Sequence, residues 1–338
     1  MPAVARRGAE GERRTGRFVS RRVLIAGAGA LGSVLGGFLQ RARCDVTLLG
    51  RAAHLDAIAR DGLLIDGIWG THRIAGFALA TTPADLSGPY DAILLTAKSF
   101  DTRAVAEAVA PCLAADGVMI SLQNGLGNVE VVEAIAGAER ALGARVIFGT
   151  RLTAPGQARV TVFADPTAIG ALVPGRHPRR DAMAREWART FDAAGVPAVA
   201  TDSLVALLWA KVLYNAALNP LGALLGVHYG ALAERVDSRA VMDAVIEEAF
   251  AVATAESVRL PWPNAGAYRD EFYGRLVPVT ADHRSSMLQD LERGRRTEIE
   301  AINGEVWRRG AQLGIATPVN EMLTRLIRLR TVDGSEST

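Results

Sequence analysis

Lysine is almost absent from this chain: all but two of the 38 basic residues among 338 are arginine, and the exceptions are Lys98 and Lys211. A composition this biased places arginine wherever any cation suffices. The two lysines therefore mark candidate positions where arginine fails, because an ammonium is compact and gives up its proton while a guanidinium does not; chance survival is the alternative. Cysteine is scarce too. Cys44 and Cys112 lie far apart and outside any CxxC, which argues against a disulfide framework or a zinc site and makes the cytoplasm the default compartment. The five histidines, at 54, 72, 177, 228 and 283, show no HxxxH or HExxH spacing, so no metal is expected. Nor is there an unbroken apolar span. The longest greasy segment, Leu204 to Val227, is interrupted by Lys211, Asn215, Asn219 and Pro220, which argues against a membrane helix.

A charge excess is missing as well. The net charge is +2, and the first 22 residues hold seven arginines against Glu10 and Glu12, so the remainder is slightly acidic and no nucleic-acid surface is expected. The basic start lacks an apolar stretch before a cleavage site, so residues 1–21 read as a short disordered leader or a misplaced start rather than a secretory signal.

What is present has the size of two domains, and 49% of the residues are apolar, enough to pack both. RRVLIAGAGALG (21–32) reads as a strand, a glycine turn and a helix to about Arg41. Further strands are predicted at 45–51, 63–66, 91–96 and 117–122, with a helix over 101–114 between the last two. This alternation implies a parallel sheet covered on both faces. Residues 145–169 are β-rich with turns expected at Pro155-Gly156 and Asp165-Pro166; a helix near 179–194 and a strand VPAVA follow. Beyond Thr201 long helical patterns take over, at 203–225, 238–258, 280–293 and 297–314. The boundary is placed near Asp202, read as the N-cap of the next helix, which gives domains at 22–201 and 202–332.

Gly27, Gly29 and Gly32 form GxGxxG. Among 34 glycines the pattern alone is weak. Between a predicted strand and a predicted helix, with a second strand at the right distance, it predicts that Gly27, Ala28, Gly29, Ala30, Leu31 and Gly32 bind a dinucleotide, a glycine-tolerant turn being the alternative. The second strand closes on Leu49, Gly50 and Arg51 rather than on an acid. Arginine there favours a 2′-phosphate and hence NADP, unless Arg51 is a solvated loop residue. Lys98 and Asn124 fall at carboxyl ends of predicted strands, where open α/β sheets bind ligands; the other readings are a solvated lysine and an ordinary Asn-Gly turn.

KVLYNAALNP (211–220) carries a polar line in an apolar helix. Lys211, Asn215 and Asn219 recur every fourth residue, a slowly turning stripe about 12 Å long. Buried amides need partners, either another helix or a polar substrate. A lysine desolvated beside a cleft can donate a proton near neutral pH, as reduction of a ketone by a nicotinamide requires at the carbonyl oxygen. Pro220 is expected to kink or end the stripe. Further on, Ser286 stands at an apparent helix start and Glu298 beside the apolar line Ile299, Ile302 and Val306. Either is a site residue, or the first caps its helix and the second favours a helix dipole.

GAGALG, TAKS, QNGLG, KVLYNAALNP, SSMLQD and TEIEAING, in this order, closely resemble the ketopantoate reductases (2-dehydropantoate 2-reductases) over residues 22 to about 330. The resemblance implies an α/β N-terminal Rossmann domain, doubly wound with a mostly parallel sheet, and an all-α C-terminal domain of the 6-phosphogluconate dehydrogenase-like type, with the active site between them. It implies NADPH-dependent reduction of 2-dehydropantoate to (R)-pantoate, toward pantothenate and coenzyme A. Carried over by residue, Lys211 looks like the proton donor, and Asn215, Asn219 and Ser286 like substrate contacts. Glu298 matches an acidic position near cofactor and substrate, and Lys98 and Asn124 match the nicotinamide side. Tyr229 and His283 depart from the pattern, standing where some members carry asparagine, so the pocket is bulkier and could suit another 2-keto acid. The rival readings are a mandelate-type, NAD-linked D-2-hydroxyacid dehydrogenase on the same scaffold and a nucleotide-sensing protein without turnover. The C-terminal helices leave faces on which a homodimer could form, with no signature that decides it.

Overall fold

The computed structural model describes residues 20–332; the expected leader, up to residue 19, lies outside the described residues. Strands and helices alternate through β1 (Arg22–Ala26), α1 (Ala30–Arg41), β2 (Asp45–Leu49), α2 (Ala52–Asp61), β3 (Leu63–Gly67), β4 (His72–Ile74), β5 (Ala78–Ala80), β6 (Tyr90–Leu95), α3 (Thr102–Val109), β7 (Leu113–Ser121) and α4 (Asn128–Ala136). A long hairpin, β8 (Ala141–Ala154) and β9 (Gln157–Gly170), then leads to α5 (Pro178–Ala194) and β10 (Ala198–Thr201). All the described strands join one sheet in the order β4-β3-β9-β8-β7-β6-β1-β2-β5, with β10 also on β9. The run from β5 through β2, β1, β6 and β7 to the start of β8 is parallel, while β8–β9 and β3–β4 are antiparallel.

In β1, Val23 and Ile25 enter one core and Leu24 and Ala26 another, on opposite faces of the sheet. That is why a central strand reads as an unbroken apolar run: both faces are covered, and each large side chain so buried stabilises by about 1.5–3 kcal/mol. From β1 the chain goes to β2 on one side and later to β6 and β7 on the other. Strand order reverses at β1/β6, and the crevice outside their carboxyl ends is where such sheets take ligands. The turn expected at Asp165-Pro166 does not form. β9 runs through it to Gly170, and the ladder with β8 shifts register where Ile147 faces Asp165, absorbing a proline that has no N–H to offer.

The second half is helical: α6 (Leu204–Leu225), α7 (Tyr229–Ala233), α8 (Val236–Ala255), α9 (Ala265–Glu271), α10 (Ser286–Glu292), α11 (Asn303–Leu313) and α12 (Pro318–Val332). Its core gathers Trp209, Val212, Leu213, Ala216 and Ala217 of α6 with Met242, Val245 and Ile246 of α8 and Ile327 of α12. Helix α6 is long and apolar enough to cross a membrane, but 67% of that window is buried inside the protein.

Three sequence readings change here. Asp202 does not cap α6; Ser203 holds the cap position without a side-chain bond, after a turn in which its N–H donates to Thr201 Oγ1 at 3.0 Å. Pro220 neither kinks nor ends the helix, which continues to Leu225. Its missing N–H frees the carbonyl of Ala216, and Asn303 Nδ2 donates to that oxygen at 3.0 Å, so the acceptor is not orphaned. The helices expected at 280–293 and 297–314 shorten. Ser285, not Ser286, caps α10 by accepting from Leu288 N at 3.0 Å. Ile302 breaks the second pattern into a single 3₁₀ turn at Ile299–Ala301 and α11, and the Ala301 carbonyl accepts from Leu126 N at 2.8 Å across to the sheet half.

Candidate active site

Beyond β1 the backbone turns through Gly27 with φ +115°, and a Cβ there would lie 2.4 Å from Ala97 N, two residues past the end of β6. A Cβ on Gly32 would lie 2.4 Å from Gly27 O. Both positions therefore exclude a side chain, one by conformation and contact, the other by the closeness of α1 to the turn. Ala28 N and Gly27 N donate to Leu49 O at 2.8 and 3.1 Å, which fixes the turn against the end of β2. Ala30 and Leu31 open α1, whose first turn has no acidic residue and no side-chain cap. Its N–H groups are left for an anion such as a pyrophosphate. Arg51, exposed at the N-cap of α2, stands just beyond β2 on the same edge. Gly27→Ala is expected to destabilise the fold by on the order of 3 kcal/mol and to abolish tight dinucleotide binding, read by denaturation and by cofactor titration; wild-type values in both would contradict this geometry.

The next two strands deliver Lys98 and Asn124, and the helical half meets them with Glu298, Asp290 and Lys211. Lys98 Nζ lies 2.6 Å from Asp290 Oδ2 and 3.6 Å from Glu298 Oε2. Glu298, buried, accepts from Ser99 N at 3.0 Å and from Asn124 Nδ2 at 3.3 Å. Lys211, half-buried on α6, donates to Asn124 Oδ1 at 2.7 Å and to the Val146 carbonyl on β8 at 2.6 Å. The only two lysines of the chain thus belong to one network with two carboxylates, and every link just named except the two from Lys211, to Asn124 and to the Val146 carbonyl, runs through the segment 290–298.

Their surroundings tune the two ammonium groups differently. Burial pushes Lys211 down to about 8, Glu298 opposing and Arg145 reinforcing the shift. For Lys98 desolvation acts downward too, but the carboxylates of Glu298 and Asp290 outweigh it and hold its pKa above the ordinary value. Lys98 is thus a fixed cation, whereas Lys211 can exchange a proton near neutrality. Two of the three N–H donors of Lys211 are used within the protein, which leaves one for a ligand oxygen.

The remaining expected residues divide. Asn215, half-buried one turn along α6, makes no side-chain hydrogen bond to the described residues. Asn219 is buried, and its Oδ1 accepts from Tyr229 OH at 2.6 Å, so that amide serves a partner helix. Ser286 is exposed at the first position of α10. Tyr229 and His283, the two departures from the resemblance, touch each other, with rings 5.1 Å apart and Tyr229 N donating to His283 O at 3.1 Å. Sequence reading missed Asp290, although it lies within SSMLQD three residues after buried Met287: an acid on the apolar face of a helix is the signal. The backbone donors and acceptors, Ser99 N and Val146 O, leave no sequence signal at all. A surface hollow of about 320 Å³ lined by Asp61, Arg73 and Gln157 shares no residue with this network.

The chain matches the profiles described as Ketopantoate reductase PanE/ApbA over residues 23–174 and Ketopantoate reductase PanE/ApbA C terminal over residues 203–331. A 2-dehydropantoate 2-reductase of Aquifex aeolicus is 36% identical over 309 residues, 91% of this chain and 96% of its own. That of Halobacterium salinarum is 34% identical, covering 93% of this chain and 100% of its own. Among solved structures, a PanE/ApbA family ketopantoate reductase from Ralstonia eutropha is similar at a TM-score of 0.82 and 34% identity, covering 93% of this chain and 100% of that one. A D-mandelate dehydrogenase solved with NADH and anilino(oxo)acetate reaches a TM-score of 0.82 at 24% identity, covering 93% and 99%, a likeness of fold alone.

Proposed function

Because this chain belongs to the ketopantoate reductase family, we propose that it reduces 2-dehydropantoate to (R)-pantoate with NADPH, in the cytoplasm, with Lys211 as proton donor. Residues 22–201 then form the cofactor domain and 202–332 the substrate and catalytic domain. The observation that carries the reading is the Lys211 ammonium, set on the helical half, reaching Asn124 and Val146 of the sheet half. An amine placed there, with its pKa lowered to about 8 by burial, is a general acid suited to a carbonyl oxygen.

The Gly27–Gly32 turn fits a dinucleotide, since it excludes side chains and presents an uncapped helix start. When bound, the reduced nicotinamide supplies hydride to C2 of the keto acid. Lys211 holds the carbonyl oxygen and releases its proton to it as negative charge develops. Asn124 positions the ammonium from one side, and Glu298 holds Asn124 while offsetting charge at Lys211. Lys98 stays protonated, paired with Asp290 and Glu298, and would supply a fixed positive charge toward the bound cofactor. Asn215 and Ser286 offer the free polar groups for the substrate carboxylate and distal hydroxyl, and Asn219 joins them only if its bond to Tyr229 yields.

Arg51 supports NADPH over NADH: a guanidinium suits a 2′-phosphate, whereas NAD-selective strands end in an acid. Arg51→Ala is expected to raise KM for NADPH roughly tenfold or more while leaving KM for NADH nearly unchanged. Equal effects on both cofactors would remove Arg51 from cofactor selection.

One observation favours a second reading. Tyr229 occupies Asn219, and Tyr229, Tyr214 and Phe272 stack edge to face behind it, an aromatic wall that suits a bulkier, less hydroxylated 2-keto acid. Nicotinamide absorbance with 2-dehydropantoate beside aromatic 2-keto acids separates the two. The family reading requires the highest kcat/KM with 2-dehydropantoate, and higher values for an aromatic acid would overturn it.

A further inference from the structure

Next to the Val146 carbonyl that receives Lys211, strand β8 carries a buried arginine. The Arg145 side chain is 6% exposed and its Nη2 meets Asp165 Oδ2 at 2.6 Å, while Asp165 on β9 is 53% exposed. Arg145 Nε is buried with no partner among the described residues. Asp165 reaches Arg145 from the point where the β8–β9 ladder loses its register, opposite Ile147. An internal guanidinium met by a single half-exposed carboxylate is costly and incompletely neutralised. Arg180, the other arginine buried as deeply, donates to the carbonyls of Ala138 and Val173 as well as facing acids, whereas Arg145 meets Asp165 alone and lies next to the carbonyl that holds Lys211.

Resting on the proposed reduction, we propose that Arg145 is a positioning residue for proton transfer. Its fixed cation, tethered by Asp165, anchors the β8 segment that holds the Lys211 ammonium through Val146 and presses that ammonium to release its proton to substrate. A guanidinium keeps its charge at any working pH, so of two neighbouring cations the lysine is the one that yields. Arg145 and Glu298 are the charged groups that act on Lys211, with opposite sign. Other titratable groups on elements packed against α6 are engaged elsewhere. Asp290 of α10 pairs with Lys98, and Asp165 of β9 with Arg145 itself. Glu248 of α8 accepts from Val319 N of α12, and Tyr229 of α7 donates to Asn219. On α12, Arg325 pairs with Glu321 and Arg328 with Glu300 at the surface, and Arg330 is exposed near the end of the helix. Within α6, Tyr214 faces Thr280.

The two-lysine composition makes the test direct and independent of turnover. Protein grown with lysine labelled by ¹³C at Cε gives two resonances, and each can be titrated by NMR. Removing a nearby cation favours the charged amine, so Arg145→Met should raise the Lys211 midpoint by about half a unit or more. Removing the compensating acid does the opposite, so Asp165→Asn should lower it. Arg145→Lys, which keeps the charge, should leave it near wild type and add a third resonance. In all three variants the Lys98 resonance should stay in place. Opposite shifts in Arg145→Met and Asp165→Asn support the proposal; an unmoved midpoint, or shifts of the same sign, overturns it. Should Arg145→Met fail to fold, Asp165→Asn at its exposed position decides alone, a fall in the midpoint supporting the proposal and no change overturning it. Loss of reductase activity in the wild-type protein would count against the functional reading and leave this titration result standing.

Discussion

Lys211→Ala is expected to lower kcat for 2-dehydropantoate reduction by about 10²–10⁴ while leaving NADPH affinity close to wild type. The magnitude is that of losing a positioned general acid, and the separation of effects follows from the geometry. Lys211 bonds Asn124 and the Val146 carbonyl on β8, whereas the dinucleotide turn at Gly27–Gly32 follows β1, three strands along the sheet from β8, and makes no hydrogen bond to α6 among those described. Lys211→Arg should rescue little. The guanidinium holds its proton too tightly to act as an acid and is too wide for a site bounded by an amide oxygen and a main-chain carbonyl. Near-normal turnover in Lys211→Ala, measured by nicotinamide absorbance under saturating substrate, would remove the lysine from the chemistry.

Glu298→Ala should be nearly as damaging. Its carboxylate accepts from Ser99 N and Asn124 Nδ2 and stands 3.6 Å from Lys98. Without it, the Ser99 N–H and the Asn124 amide lose their acceptor, Lys98 keeps only Asp290, and Asn124 is free to rotate away from Lys211. Misplacement of a reacting group by about 1 Å is enough to cost roughly 10²-fold, so kcat/KM should fall by at least that much. Removing the carboxylate also withdraws the charge that opposes the depression of Lys211, so the amine should lose its proton at still lower pH. A variant retaining more than a third of wild-type kcat/KM would mean that Glu298 only joins the two halves of the molecule.

Much of this was legible in the sequence because it depends on local rules. GxGxxG after a β-branched run predicts the Gly27 turn, and the structure adds the reason, a backbone approach of 2.4 Å for any Cβ. The rarity of lysine pointed to Lys98 and Lys211, which do share one network. The illegible parts depend on distant partners. Pro220 reads as a helix breaker until Asn303, 83 positions later, is seen to satisfy the carbonyl it frees. The stripe Lys211–Asn215–Asn219 looks uniform in sequence, yet Tyr229 claims Asn219 while Asn215 has no side-chain partner among the described residues. α12 escaped reading because seven of its fifteen residues are polar or charged and they do not keep to one face: Arg325, Arg328 and Arg330 are exposed, while Asn320 and Thr324 are buried alongside Leu323 and Ile327. Asp165-Pro166 has the look of a turn but lies within a strand, because a shift of register in β9 supplies the room.

The most direct test of Lys211 as the proton donor is the pH dependence of kcat/KM for 2-dehydropantoate reduction. Burial lowers the folded-state pKa to about 8, and reduction needs the protonated amine. The rate should therefore be level below that pH and fall about tenfold per unit above it, with pantoate oxidation showing the reverse dependence. A reduction rate that stays flat from pH 6 to beyond pH 10, roughly the ordinary lysine value, would contradict the assignment.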